Sequence, residues 1–136
     1  VPYVLEDISV LGDLLKGYTD AAAEAPTTDD GPRVSVAFHI YVAPSQAEAE
    51  ARARPYVSRY CETRAVGNSK DFAQLMRKRL IAVGDPNHVS SVLQQLGDFG
   101  VERVLCLMNF GGMPFAMVKE SMSLLAREVM PRLASK

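Results

Sequence analysis

The sequence predicts an α/β fold in which helices cover a parallel sheet. Two apolar runs have the length of strands, at 34–42 and 104–110, and a shorter run lies at 80–83. Amphipathic segments long enough for crossover helices separate the runs, and this alternation is typical of parallel sheets. Because the two longer runs are apolar at almost every position, we expect their strands to be buried on both faces.

Length, composition and charge narrow the function classes. The 136 residues predict a single domain over residues 1–136 that is large enough to bury a core. Fifteen Lys and Arg oppose sixteen Asp and Glu, and a net charge of −1 argues against a nucleic-acid or polybasic membrane surface. Neither a membrane span nor a signal peptide is visible, so we expect a cytoplasmic protein. The first residue is Val1 rather than Met, which indicates a processed chain or a piece of a longer one.

A helix and a loop precede the first strand. Apolar periodicity predicts the helix from about Asp7 to Ala25, and the Gly- and Pro-rich segment 26–32 predicts a solvated loop. One face of strand 34–42 is apolar throughout. The other face, which carries His39 and Tyr41, is also largely apolar or aromatic. We therefore expect helices on both sides of this strand.

A second helix follows the first strand. Ser45 and Glu48 have the spacing of a capping box, so the helix begins near Gln46. Pro55 should kink or restart this helix, because proline cannot donate a backbone hydrogen bond. An irregular helical insert at 72–79 separates this helix from the next strand.

The short run 80–83 predicts a strand that leads directly into a third helix. Asp85 has the character of an N-cap and Pro86 that of the first helical residue. The carboxylate of Asp85 would repel a phosphate at the same helix terminus, which favours a capping role. The helix ends at Gly97 or Gly100, and Gly100 is the better C′ residue.

The run 104–110 predicts the last strand, buried on both faces, in which Cys106 would be an inert buried thiol. Gly111 and Gly112 then turn the chain, and Pro114 begins the last helix. The predicted apolar stripe of that helix consists of Phe115, Val118, Met122, Leu125, Val129 and Leu133.

Several of these segments, taken in order, resemble luciferase-like flavin-dependent monooxygenases. The segment 80–89 (LIAVGDPNHV) is similar to a strand–Gly–Thr/Asp–Pro–helix junction of that family, and 96–104 (LGDFGVERV) is similar to the helix, turn and strand that follow. The segment 105–114 (LCLMNFGGMP) resembles the last barrel strand and its loop. Upstream, 38–43 resembles the sixth strand, and 126–133 resembles the tail of the final helix.

The resemblance implies a partial (β/α)8 TIM barrel, since a whole barrel needs about 250 residues. It implies the last three βα units, with parallel strands and an extra helical insert. It also implies FMN as the cofactor, with a deazaflavin as the other possibility, and a small-molecule substrate oxidised by reduced flavin and O2. Three barrel strands leave two open edges, so we expect a homodimer or a complementary N-terminal barrel segment to complete the sheet.

Candidate site residues lie near the ends of the strands, where barrel enzymes place their chemistry. Asn109, Gly111 and Gly112 are candidate cofactor-binding residues, because two glycines permit close approach and the following helix offers free N–H groups. An ordinary strand-to-helix turn is the alternative. His39 is the candidate catalytic residue if it points to the barrel mouth, where it could bind an isoalloxazine or a substrate carbonyl. A core histidine is the alternative, and His88 is expected to be solvated.

Two functions therefore remain open. The first is part of a flavin-dependent monooxygenase, and the alternative is a non-catalytic α/β module for dimerisation or scaffolding. The sequence contains no Walker loop, no GxGxxG after a strand, no nucleophile elbow and no HExxH, so other common enzyme classes are not indicated. Cys61 and Cys106 lie in no CxxC motif, so we expect neither a metal site nor a disulfide, and we expect Cys61 to be buried.

Overall fold

The computed structural model describes residues 4–24, 33–63 and 70–134, and the loop predicted at 26–32 lies outside them. The element order is the one that the sequence predicts. The elements are α1 (Ile8–Glu24), β1 (Ser35–Val42), α2 (Gln46–Thr63), α3 (Phe72–Arg77), β2 (Ala82–Gly84), α4 (Pro86–Asp98), β3 (Arg103–Leu107), α5 (Phe115–Leu124), a π-helical turn (Leu125–Val129) and α6 (Met130–Leu133). None of the helices in these ranges is long and apolar enough to cross a membrane.

The three strands form a parallel sheet with the order β2-β1-β3. Residues 40–42 pair with 82–84, and residues 35–39 pair with 103–107. The α/β class and the parallel sheet are thereby confirmed, and the barrel stays a prediction. Consecutive units of a closed barrel pair in chain order, which would place β2 in the middle. In this structure the middle strand is β1, which lies between β2 and β3. It is also longer than β2, with eight residues against three.

Both faces of β1 are buried, as predicted. On one face Phe38 and Ile40 are fully buried, and on the other His39 and Tyr41 are 3% and 1% exposed. Helices α2 and α4 pack against β1 and β2, and α5 packs against β1. Burial of one large apolar side chain contributes about 1.5–3 kcal/mol to stability. Because β1 buries several such side chains, it is the centre of the core.

Strand β3 is exposed, where the sequence predicts burial on both faces. Leu105 is 55% exposed, and Cys106 is exposed as well, so the predictions for the strand and for the burial of this thiol were wrong. Edge position alone does not explain this, since β2 is also an edge strand but is buried beneath α2 and α4. Although α5 follows β3 in the chain, it packs against β1.

Three local signals are confirmed at helix ends. The carboxylate of Asp85 accepts the His88 backbone N–H at 2.8 Å, with Pro86 as the first residue of α4. Gly100 follows the C-cap of α4 with φ +90°, in the region that favours glycine. Ser45 accepts the backbone N–H of Glu48 at 3.3 Å, which is one half of the predicted capping box, while the Glu48 carboxylate pairs with Arg52.

Two expectations about helices hold only in part. Pro55 does not restart helix α2, which continues to Thr63, and a kink at this proline stays a prediction. The lost hydrogen bond is tolerated because Ala53 and Val57, on either side of the proline, are buried. In the predicted stripe of the last helix, Val118, Leu125 and Val129 are buried as predicted, whereas Phe115 and Met122 are exposed, and Ser121 lies on the buried face of α5.

Candidate functional site

A crevice of about 430 Å³ opens between α2 and α5 at the carboxyl end of β1, and we call it the α2–α5 crevice. This volume lies within the range of small-molecule sites. Residues 41–44 line it from the sheet, and Glu48 and Arg52 line it from α2. From α5 and the turn that follows, it is lined by Lys119, Glu120, Ser123, Leu124 and Arg127.

Arg52 holds the polar groups on one side of the crevice together. Its guanidinium lies 2.7 Å from the Glu48 carboxylate and 3.4 Å from that of Glu120, so it connects α2 to α5. It also interacts electrostatically with the Tyr41 hydroxyl. Burial raises the pKa of Tyr41, with Arg52 acting in the opposite direction, and the phenol therefore stays neutral near neutral pH.

Two further cations lie on α5 and on the π-helical turn that follows it. Lys119 and Ser123 are four residues apart on α5, which places them on the same side of the helix. Arg127 belongs to the π-helical turn, and its Nε donates to the Ser123 carbonyl at 3.3 Å. Within the described ranges, neither Lys119 nor Arg127 has a carboxylate at ion-pair distance. Three cations and two carboxylates thus line the crevice, and both carboxylates are bound to Arg52.

The predicted catalytic residue, His39, lies in the core. Its ring makes edge-on contacts with Tyr60, at 4.6 Å between centroids, and with Phe110, at 5.5 Å. The void beside it measures about 10 Å³, which is no more than one water needs. This position is the one that the core-histidine alternative predicts, and a catalytic role for His39 stays a prediction.

The predicted cofactor loop folds back onto α2. Gly111 has φ +61°, and a Cβ atom there would overlap the backbone carbonyl of Tyr56. The guanidinium of Arg59 donates to the Gly111 carbonyl at 3.4 Å. Asn109 and Gly112 are exposed beside the start of α5. The close approach that Gly111 permits is therefore to a helix, and cofactor binding by the loop stays a prediction.

His88 is half-buried rather than solvated. Desolvation lowers the pKa of His88 from its ordinary 6.5, and the positive charge of Arg79 lowers it further, against the opposing effect of Asp85 and Glu50. Its Nε2 atom is buried without a hydrogen-bond partner among the residues that the structure describes. The prediction failed because α2 packs against the strand that precedes α4.

The two cysteines are also placed differently from expectation. Cys61 is partly rather than fully buried, and Cys106 is exposed. Desolvation nevertheless raises the pKa of both thiols, with Glu62 adding to the effect at Cys61. Both side chains are therefore neutral thiols near neutral pH, which agrees with the predicted low reactivity of Cys106.

The residues that sequence reasoning missed are those of the α2–α5 crevice. The pair Glu48 and Arg52 is visible as an acid followed four residues later by a base, a pattern typical of any exposed helix face. Its partner Glu120 is 68 residues away in the chain. No sequence signal connects residues at that distance without an alignment.

Comparisons with known proteins place the chain beside monooxygenases. Neither a protein-family profile nor a curated protein sequence matches it. Among solved structures, the monooxygenase RslO1 from Streptomyces bottropensis is 26% identical, with a TM-score of 0.71, over 90% of this chain and 38% of RslO1. The structure of apo-MsnO8 is 15% identical, with a TM-score of 0.51, over 83% of this chain and 41% of MsnO8, and shows the fold alone. The chain thus spans about two fifths of the length of these structures.

Proposed function

We propose that this chain is part of a flavin-dependent monooxygenase of the luciferase-like type, which oxidises an organic substrate with reduced FMN and O2. The observation that supports this most is the similarity to the monooxygenase RslO1, at 26% identity over 90% of the chain. The segments 80–89 and 105–114, which resemble the family, lie at the ends of β2 and β3. A deazaflavin is the second cofactor candidate.

Reduced FMN, when bound, would supply two electrons to O2, so that one oxygen atom enters the substrate and the other leaves as water. The protein residues would bind the flavin, orient the substrate and exclude solvent. Asn109 and Gly112 fit such a role, because they are exposed beside the N-terminus of α5, where backbone N–H groups favour an anion. Gly111 would hold the loop against Tyr56.

His39 would hydrogen-bond the isoalloxazine or a substrate carbonyl. Its ring packs edge-on against Tyr60 and Phe110, whose own centroids are 6.4 Å apart, so this three-ring cluster would have to open before a ligand could reach it. The void of about 10 Å³ beside His39 does not hold a flavin ring. The role of His39 is therefore tied to the conformation of the loop that follows β3.

The open edge of β3 would pair with a further strand. Unpaired backbone groups beside exposed apolar side chains invite strand addition, and Leu105 supplies such a side chain. The chain covers only 38% of RslO1, which favours a complementary N-terminal barrel segment as the partner over a second copy of the chain. Without a flavin, the same edge would serve the alternative function, a non-catalytic module for dimerisation or scaffolding.

Retention of flavin tests the proposal. The purified chain is mixed with FMN, both by itself and together with any protein that co-purifies with the chain. Each mixture is then desalted and examined for yellow absorbance. We expect flavin to be retained where the sheet is completed. An associated but colourless protein would support the scaffolding module, and a colourless, monodisperse monomer at micromolar concentration would contradict the proposed completion of the sheet.

Leu105→Lys tests the edge directly. A lysine in the middle of an exposed edge strand opposes pairing with another strand, so we expect association to be lost in light scattering. Tyr18→Lys, on the exposed face of α1, is the matched control, since Tyr18 is 49% exposed. If both variants associate as the parent chain does, the edge of β3 is not the contact.

A further inference from the structure

We propose that the α2–α5 crevice binds an organic anion with an apolar body, which Lys119 and Arg127 hold by its charge. The inference rests on the crevice and its charges alone, so it does not depend on the proposed function. Nothing in the arrangement of His39 or of the Asn109–Gly112 loop requires these two cations.

The shape and surface of the crevice favour a small molecule with an apolar part. Its volume of about 430 Å³ is that of a ligand pocket. Pro44 and Leu124 supply its accessible apolar lining, and Tyr41, Val42 and Ala43 lie almost fully buried beneath. Such a surface suits an apolar ring or a branched aliphatic group beside a charged one.

The charges select the sign of the ligand. Arg52 lies within ion-pair distance of both Glu48 and Glu120, so these two carboxylates are already neutralised in part. Lys119 and Arg127 have no ion-pair partner in the described part of the chain. A negative group in the crevice therefore meets two available cations, whereas a positive group meets carboxylates that Arg52 already holds.

The spacing of the two cations allows both to reach one anion. They are eight residues apart, or about 12 Å along a helix axis, and Ser123 lies midway between them. Each side chain is long and flexible enough to bend toward this midpoint. A carboxylate or a phosphate near Ser123 would thus be held from both sides, with charge-assisted hydrogen bonds.

Two matched pairs of probes test the inference. The first pair is 2-naphthoate and its neutral counterpart 2-naphthamide, which share the apolar ring. The second pair is FMN and riboflavin, which differ only in the phosphate. We expect 2-naphthoate to bind more tightly than 2-naphthamide by fluorescence titration, and the difference to shrink as salt is added.

The variant K119Q/R127Q removes both charges from exposed positions, so the fold should be retained. We expect its affinity for 2-naphthoate to fall by about threefold to tenfold, and its affinity for 2-naphthamide to stay the same. K16Q/R77Q makes the same change of charge on α1 and α3, at exposed positions outside the crevice, and should leave both affinities unchanged. Circular dichroism and an unfolding curve confirm that each variant is folded.

The outcomes separate the inference from the proposed function. Equal binding of 2-naphthoate and 2-naphthamide, binding of neither, or unchanged binding by K119Q/R127Q would overturn the inference. Tighter binding of FMN than of riboflavin, lost in the same variant, would support it and identify the anion as a flavin phosphate. Charge-dependent binding of 2-naphthoate without binding of FMN would support an organic acid as the ligand, and the flavin proposal is decided separately by its desalting test.

Discussion

Strands β1 and β3 have similar sequences and opposite surroundings. Both are rich in Val, Leu, Ile and aromatic or sulfur-containing residues, yet Ile40 of β1 is fully buried and Leu105 of β3 is 55% exposed. The difference is one of helical cover, since α2, α4 and α5 pack against β1, and β2, which is also an edge strand, is buried beneath α2 and α4. Burial is therefore set by tertiary packing, and the local sequence states only which strands could be buried.

The largest expected difference between the two strands is in stability. Ile40→Ala should lower the free energy of unfolding by about 2–5 kcal/mol, because it removes a fully buried side chain from the core. Leu105→Ala should lower it by less than about 1 kcal/mol. Denaturant unfolding of both variants at the same concentration measures this. Equal losses would mean that β3 is covered in solution.

The loop after β3 gives the next largest effect. Gly111→Ala should lower the free energy of unfolding by about 3 kcal/mol. The alanine would have to adopt a backbone φ of +61°, and its Cβ atom would overlap the Tyr56 carbonyl. Gly112→Ala should lower it by only about 1 kcal/mol. Residue 112 also has a positive φ, but the atom nearest to the new Cβ, Arg59 Nη1, would lie 3.4 Å from it. The two unfolding midpoints measure the difference. If they are the same, α2 does not anchor the loop of the exposed strand.

The sequence predicts the elements well because their signals are local. The cap at Asp85, the first helical residue Pro86 and the C′ glycine Gly100 each depend on residues within one helical turn. The exposure of Leu105 and Cys106 depends on which helices pack over β3, and an apolar run carries no record of that. The burial of β1 was predicted correctly because α2, α4 and α5 supply the cover that its composition permits.

The residues of the candidate site also divide into those that sequence reasoning could find and those that it could not. The loop 109–112 and His39 could be chosen from the sequence because strand ends are visible there, but their contacts with Tyr56 and Tyr60 of α2 could not. The α2–α5 crevice was missed altogether. It exists because α5 packs against β1, a contact between segments that are far apart in the chain.

A smaller effect is expected where β1 extends past the end of β3. Strand β3 ends at Leu107, opposite His39, and three residues later the Val42 N–H donates to the Ser121 hydroxyl at 2.8 Å. Ser121→Ala would leave this buried N–H unpaired and should cost about 1–3 kcal/mol.

Ser123→Ala is the matched control for that change. The Ser123 hydroxyl donates to a carbonyl of its own helix, that of Lys119, at 2.9 Å, so its loss should change stability by less than about 0.5 kcal/mol. Both variants are compared by denaturant unfolding. Equal effects would show that the Val42 N–H does not need the Ser121 hydroxyl and finds another hydrogen-bond partner.

The smallest effect concerns β2, the other neighbour of β1, and depends on pH. His88 lies just after β2, and desolvation together with Arg79 holds its pKa below the ordinary 6.5 in the folded chain. The unfolded chain therefore binds more protons below that pH, so stability is present above about pH 6.5 and is lost as the pH falls toward the folded pKa.

His88→Gln should remove this loss. The free energies of unfolding of parent and variant, measured from about pH 7 to about pH 5, should converge or cross as the pH falls. Parallel curves would show that His88 is as solvated in solution as its sequence position suggested. In that case the end of β2 would resemble the exposed strand β3 more than the buried strand β1, and the cover that α2 gives to this side of the sheet would be incomplete.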